Sequence, residues 1–290
     1  MKRVRAEVLN SRRVGAYQSI TIVAPGVADR VRPGQFVSIA MPAGRTFLLR
    51  RQFSISQASR RGGWAGTLEF AFDPKGPGTS WLSEIRAHQF LDVIGPLGKA
   101  FAYPARLHTC LLVSEGHGSA PIYFLAQELR ARGKRVDMLV GAQDNDRVFK
   151  PIEGKRLSQT ITITTEDGSL GERGSVVDAL AGVVESTGVE VIYAAARRST
   201  LRRLAEFCMD RNIPSQVAVE EEMACGIGLC FTCTVPVVRK DGTGFDNVRA
   251  CTEGPVFNPA RILWDRWLGD QPRLAPTPPE GFPVVGAWPG

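Results

Sequence analysis

Histidine is scarce in this chain: three in 290 residues, at His88, His108 and His117. A Ser-His-Asp or Cys-His relay needs a histidine beside its nucleophile. Three scattered copies give no basis for one, so hydrolytic chemistry is not expected. No run of 18 apolar residues occurs, which removes a membrane-spanning helix. The basic start, MKRVRAEVL, leads directly into strand-like alternation without the apolar segment of a signal peptide. A cytoplasmic protein with no membrane insertion is expected. Internal repeats are absent. The net charge is +7 with 36 Lys and Arg, yet these are scattered and no nucleic-acid motif accompanies them. Nucleic acid is therefore not the expected partner, and the charge reads as a solvated Arg-rich surface that could include a docking patch for an acidic protein. With 43% hydrophobic and 22% charged residues the chain is globular and long enough for two or three domains.

Cysteine is also sparse, but four of the six are clustered: Cys225, Cys230, Cys233 and Cys251 follow the order C-x4-C-x2-C with a fourth after 17 residues. This is the ligand spacing of a plant-type 2Fe-2S cluster. Three thiolates within nine residues can wrap one cluster only if the backbone turns sharply, and Gly226 and Gly228 supply that freedom. Backbone N–H groups of such a loop can point at cluster sulfurs and raise the potential. Two alternatives stay open here: Cys230-x2-Cys233 alone suits tetrahedral zinc, and two disulfides would also use four thiols. Cys110 and Cys208 sit in apolar periodic segments and read as buried core thiols.

The chain divides into blocks. From Arg3 to about Ala105, short apolar runs such as SITIVA, QFVSIA and TLEFAF alternate with Pro and Gly turns, the pattern of an antiparallel barrel. Ser80 to Arg86 is the longest helical stretch in that block. From Leu107 to Glu222 strands alternate with helices expected over Pro121–Arg132, Val176–Val184 and Leu201–Arg211, which implies a doubly wound parallel sheet. The cysteine loop follows. The expected boundaries are 1–105, 106–222 and 223–262. Residues 263–290 form a tail whose last twenty residues include six prolines and cannot form a helix or a central strand.

Arg51-Gln52-Phe53-Ser54 resembles the R-x-[YF]-[ST] flavin motif of the ferredoxin-reductase superfamily, on a barrel strand as in that family. The resemblance implies that Arg51 meets the FAD pyrophosphate, for which a forked guanidinium suits a dianion. It also implies that Ser54 lies within reach of the isoalloxazine. Gly78-Thr79-Ser80 would offer backbone N–H groups to the same phosphates, and Gly95-Pro96-Leu97-Gly98 resembles the turn that closes the barrel. EEEMACGIGLCFTC, CTEGPVF and Thr165–Leu180 (TEDGSLGERGSVVDAL) are similar to the electron-transfer subunits of two-subunit, NAD-linked dihydroorotate dehydrogenases, so the resemblance spans about residues 3 to 260. It implies a Greek-key barrel for FAD, a doubly wound nucleotide domain for NAD(H) and a small C-terminal 2Fe-2S loop domain. The implied partner is an FMN-containing catalytic subunit in a hetero-oligomer, with electrons running from dihydroorotate through FMN, cluster and FAD to NAD. A diverged reductase subunit serving another redox protein, such as ferredoxin or a larger flavoprotein, shares this layout. A zinc-stabilised, redox-inactive regulatory module is the reading from a different class.

Two segments depart from the family pattern. The turn written G-G-G-x-G-x-A-P in relatives, implied to approach the NAD pyrophosphate through Gly116 and Gly118, reads Ser114-Glu115-Gly116-His117-Gly118-Ser119-Ala120-Pro121. A carboxylate facing phosphate at about 4 Å and an effective dielectric near 20 is repelled by roughly 4 kcal/mol. The C-G-P turn is replaced by Ala194-Ala195-Ala196, where alanine would resist a backbone geometry that glycine takes freely. Either Glu115 turns to solvent and Arg197 or Arg198 meets the phosphates, or NAD(H) binding is weakened and the electron partner is another protein. His117 reads as a solvated turn residue, Glu220 to Glu222 as end-of-strand solvation, Glu166-Asp167-Gly168 as a loop, and Trp264 with Trp267 as a short helix against the barrel or a partner.

Overall fold

The computed structural model describes residues 1–42, 47–60 and 62–269. In chain order the elements are β1 (Lys2–Val14), β2 (Tyr17–Val23), α1 (Pro25–Ala28), β3 (Phe36–Ile39), β4 (Arg51–Ser59), β5 (Thr67–Phe72), α2 (Pro77–Ser83) and β6 (Phe90–Leu97). Next come β7 (Thr109–Glu115), α3 (Ser119–Ala131), β8 (Arg135–Ala142), α4 (Pro151–Leu157), β9 (Thr160–Thr165), β10 (Glu172–Arg173), α5 (Val176–Thr187), β11 (Val191–Ala195), α6 (Arg198–Asp210) and β12 (Ser215–Ala218). The chain then forms β13 (Thr234–Val238), β14 (Phe245–Arg249), β15 (Val256–Phe257) and α7 (Trp264–Leu268). Among the described residues no helix is long and apolar enough to cross a membrane.

β1 to β6 close into an antiparallel barrel in the order β1-β2-β5-β4-β3-β6, a Greek-key path that ends with β6 pairing back to β1. Alternation drives it: Ile20, Ile22, Leu68, Phe70, Leu91 and Val93 point inward and are fully or almost fully buried, while their neighbours face outward. The second unit is the sheet β10-β9-β8-β7-β11-β12-β15, parallel except for β15, which pairs antiparallel with β12. Its strands are buried on both faces, so the centre of β7, Cys110 to Val113, reads as a continuous apolar run. Cys110 and Leu112 pack beside Ile122, Tyr123 and Leu129 of α3, whereas Leu111 and Val113 pack with Val176, Leu180, Leu201 and Leu204 of α5 and α6. Cys110 and Cys208 are both 1% exposed, as expected of core thiols. Helix α5 starts at a Ser175–Asp178 capping box and stops at Gly188, whose φ of +62° is left-handed.

The barrel and the α/β unit are locked together by α3, whose Phe124 sits in the barrel core, and by a buried ion pair between Lys150 and Glu69. Ser19 donates a second hydrogen bond to Glu69 at 2.6 Å. Lys150→Met would leave that carboxylate buried without its cation, at an expected cost of about 3–5 kcal/mol. The midpoint of denaturant unfolding reads this directly, and an unchanged midpoint would contradict the pair's structural role. The two tryptophans of α7 are nearly buried, at 7% and 9% exposure. They pack with α6 and β13 rather than against the barrel. Residues 270–290, which hold the proline-rich tail, lie outside the described residues.

Candidate functional site: a cavity shared by the barrel, the sheet and the cysteine loop

A cavity of about 430 Å³ opens between the barrel and the carboxyl ends of the parallel strands. Gln52, Phe53 and Ser54 of β4 form one wall, Lys75 and Thr79 close one end, and Gly118, Ala195 and Glu220 to Glu222 form the opposite side. Phe53 is also a barrel core residue, 5.1 Å from the Phe70 ring and 5.3 Å from that of Phe72. Phe36, Phe53 and Phe72 give the cavity an aromatic side that suits a flat aromatic ligand, while Gln52, Ser54, Lys75 and Thr79 bring polar groups to it.

Beside this cavity Arg51 and Gly78 form a cradle. A Cβ on Gly78 would lie 3.3 Å from Arg51 Nε and 3.7 Å from its terminal nitrogen. The guanidinium donates to the Leu49 carbonyl at 3.0 Å and has further N–H groups to offer. Thr79 is less available than the motif implies. Its hydroxyl accepts from the Lys75 and Gly76 amides at 3.1 and 3.0 Å and so fixes the turn entering α2. The Ser80 amide is likewise bonded to the Gly76 carbonyl at 2.8 Å. Gln52 Nε2 is buried with no hydrogen-bond partner. Leaving such a donor unpaired costs about 1–3 kcal/mol, which a ligand acceptor in the cavity would recover. The cradle, the orphaned amide and the aromatic side of the cavity fit FAD: Arg51 and Gly78 could hold its phosphates, and Gln52, Phe53 and Ser54 could take its ring system.

The cysteine loop explains its own long gap. β13 and β14 form an antiparallel hairpin in which Thr234 faces Arg249, so the 17 intervening residues return Cys251 to Cys233. Those two are buried, at 2% and 1% exposure, and the Ala250 amide donates to the Cys233 carbonyl at 2.7 Å. Cys225 is half-buried and Cys230 exposed. Cys225 Sγ accepts from the Leu229 and Cys230 amides at 3.3 and 3.4 Å, which needs the left-handed backbone of Gly226 and Gly228 at φ +70° and +88°. Thr232 donates its hydroxyl to Cys230 Sγ at 3.2 Å and, with nearby amides, holds that thiol down at about 6. Burial, followed by contact with Cys233, pushes Cys251 up to about 12. The Cys230 amide ties Cys225 to Cys230, and the hairpin brings Cys251 back beside Cys233. No three Cys, His, Asp or Glu side chains among the described residues are grouped as ligands of one metal ion. A two-iron cluster takes two thiolates at each iron, so the donor set fits 2Fe-2S. Arg249 braces the loop, donating to the Gly228 carbonyl at 3.0 Å, pairing with Glu253 at 2.8 Å and lying 4.7 Å over the Phe231 ring. The loop touches the flavin-motif strand: a Cβ on Gly226 would fall 2.9 Å from Gln52 Nε2.

On the α/β side the strand order reverses between β7 and β11, the switch point where open parallel sheets bind ligands. Gly116 takes φ +57°, and a Cβ on Gly118 would come within 3.1 Å of the Ala195 carbonyl. Here several sequence expectations need correction. Glu115 neither faces the crevice freely nor turns to solvent; it is 9% exposed and accepts from Arg197 at 2.6 and 3.1 Å and from the Thr200 hydroxyl at 2.9 Å. Burial raises its pKa, but these donors outweigh burial and hold the carboxyl below its ordinary range. Arg197 is not free either, since Glu166 takes its other side at 2.5 Å. Ala195 completes β11 in strand geometry and is not among the described residues with positive φ, so no glycine-like backbone is demanded. His117 is not simply solvated: it pairs with Glu220 at 3.0 Å, which raises its pKa. Glu221 is buried between Arg198 at 2.5 Å and Trp267 Nε1 at 2.6 Å, and burial raises its carboxyl. These partners are far apart in sequence, and no local pattern marks them.

Residues 220–263 match the family model described as the iron-sulfur cluster binding domain of dihydroorotate dehydrogenase B, which favours the cluster over zinc or disulfides. The electron transfer subunit of dihydroorotate dehydrogenase B (NAD(+)) from Desulforamulus reducens is 31% identical over 83% of this chain and 90% of its own length. Its counterpart from Bacillus mycoides is 35% identical over 78% of this chain and 84% of its own. Among solved structures, a chain of the NADH-dependent reduced ferredoxin-NADP oxidoreductase, studied for flavin-based electron bifurcation, superposes with a TM-score of 0.79 at 25% identity over 92% of each chain. The ferredoxin reductase of carbazole 1,9a-dioxygenase shares the fold, with a TM-score of 0.61 at 20% identity over 73% of this chain and 67% of its own. With barrel, switch-point sheet and paired-cysteine hairpin in one chain, and this identity over most of its length, the chain belongs to the family of electron transfer subunits of dihydroorotate dehydrogenase B (NAD(+)).

Proposed function

We propose that this chain carries electrons between a dihydroorotate-oxidising, FMN-containing partner subunit and NAD, using a 2Fe-2S cluster and FAD. Bound FAD would supply the conversion between single electrons from the cluster and a two-electron hydride for the nicotinamide. The chain's own residues do the rest. Cys225, Cys230, Cys233 and Cys251 hold the cluster, Arg51 and the Gly78 turn take the FAD phosphates, and Phe53 with Phe72 keeps water from the ring. Gln52 carries the reading most directly, because its side chain lines the cavity and abuts Gly226 of the cluster loop. Flavin site and cluster loop therefore share a wall, and electrons need cross no intervening domain. Ile227, Leu229 and Phe231 are 41%, 75% and 59% exposed around the cysteines, an apolar tip suited to a partner that must approach the cluster closely. In this reading residues 1–105 serve FAD, 106–222 the nucleotide and 223–262 the cluster, in a cytoplasmic hetero-oligomer. The test is reconstitution. The holo chain mixed with the catalytic subunit of a dihydroorotate dehydrogenase B should give dihydroorotate-dependent NADH formation that neither component gives alone; no NADH from the mixture would sink the assignment.

A second reading, a diverged reductase subunit exchanging electrons with another redox protein, draws support from the Glu115–Arg197 pair in the nucleotide crevice. It expects dithionite, but not NADH, to reduce the chain.

A further inference from the structure

The crevice at the carboxyl ends of β7 and β11 is continuous with the open cavity, since Gly118, Ala195 and Arg198 line the cavity and Glu115 and Arg197 flank them in the chain. Switch-point crevices take the phosphates of nucleotides, and here a carboxylate already holds the cationic and hydroxyl donors that a phosphate would use. Glu115 accepts from the Arg197 backbone amide at 3.3 Å, from its side chain at 2.6 and 3.1 Å, and from Thr200 Oγ1 at 2.9 Å. Glu166 takes the remaining face of the same guanidinium. We infer that Glu115 is the residue that sets this chain's dinucleotide affinity: it holds Arg197 as an internal counter-ion, and the pyrophosphate of NAD(H) must compete with it for that guanidinium. The inference rests on the NAD-linked function proposed above.

Glu115 lies beside the turn rather than in the cavity floor, so its replacement should leave the flavin and cluster sites intact. Removing the carboxylate leaves Arg197 held by Glu166 alone, frees the Thr200 hydroxyl and removes a negative charge beside the phosphate crevice. On the scale of one unscreened charge contact near the surface, the gain is at least about tenfold in binding. The experiment uses the holo chain carrying FAD and cluster. Kd values for NADH and for ADP-ribose, which has the pyrophosphate but no nicotinamide, are measured for wild type, E115G and E115G/R197A by calorimetry under anaerobic conditions. E115Q keeps the side-chain shape and is read in place of E115G if the glycine variant does not fold. Both ligands are expected to bind at least about tenfold more tightly to E115G, with the gain lost in E115G/R197A. Equal Kd values in wild type and E115G, or a gain that survives Arg197→Ala, overturn the inference. If wild type still binds NADH, the NAD-linked reading stands. No binding of NADH by wild type or E115G overturns both.

Discussion

Cys251→Ser should abolish the 2Fe-2S absorption in the visible and the low-temperature paramagnetic signal of the reduced cluster, while leaving the flavin spectrum in place. Cys251 is 2% exposed and is returned to Cys233 by the β13–β14 hairpin, so the fourth thiol sits at the cluster loop despite 17 intervening residues. A serine hydroxyl is a harder ligand that stays protonated far above neutral pH, and a cluster with three thiolates lacks one of its four anchors. The FAD cradle draws on β4 and the turn before α2, which do not include the cysteine, so flavin reduction should survive while electron delivery to the partner stops. Cys110→Ser, at a core position away from the loop, should keep the cluster spectrum. Retention of a normal cluster spectrum in Cys251→Ser would mean that the four-thiol donor set is wrong.

Arg51→Ala should release FAD, raising its dissociation constant by about 30-fold to 1,000-fold, the scale of losing one member of a charge-assisted, desolvated contact. The guanidinium stands over Gly78, where even a Cβ would come within 3.3 Å of Nε, so a larger side chain at residue 78 would push the guanidinium out of place. Gly78→Val should therefore weaken FAD binding as well, by filling the cradle rather than by removing the charge. Titration of deflavinated protein with FAD, followed by flavin fluorescence, gives both constants. Full retention of FAD through gel filtration by both variants would move the phosphate site elsewhere.

Much of this architecture was legible because it is periodic. Two-residue alternation in SITIVA and TLEFAF marked barrel strands, and continuous apolar runs such as TCLLV marked strands covered on both faces. Cysteine spacing pointed to the loop without revealing the hairpin that closes it. β15 has no sequence signature, because Val256–Phe257 contributes only two residues to the sheet edge and comes shortly after the last cysteine. The electrostatic part of the site was not legible. Glu115 meets Arg197 across 82 positions, His117 meets Glu220 across more than a hundred, and Glu221 depends on Trp267 from the final described helix. A substituted glycine announced that the nucleotide turn had changed; only the packing of α6 against β11 showed that the new carboxylate had found its own counter-ion. The same limit applies to Gln52, where a motif position tolerant of many residues acquires meaning from the approach of Gly226.

An anaerobic titration of the purified holo chain with NADH, following the visible spectrum and the paramagnetic signal of the cluster together, tests the electron-transfer role most directly. Bleaching of the flavin accompanied by appearance of a reduced 2Fe-2S signal is expected, because Gln52 both lines the cavity and abuts Gly226 of the cysteine loop. A chain that holds both chromophores but is reduced by dithionite and never by NADH would contradict transfer to NAD, and a colourless chain would contradict an electron-transfer role altogether.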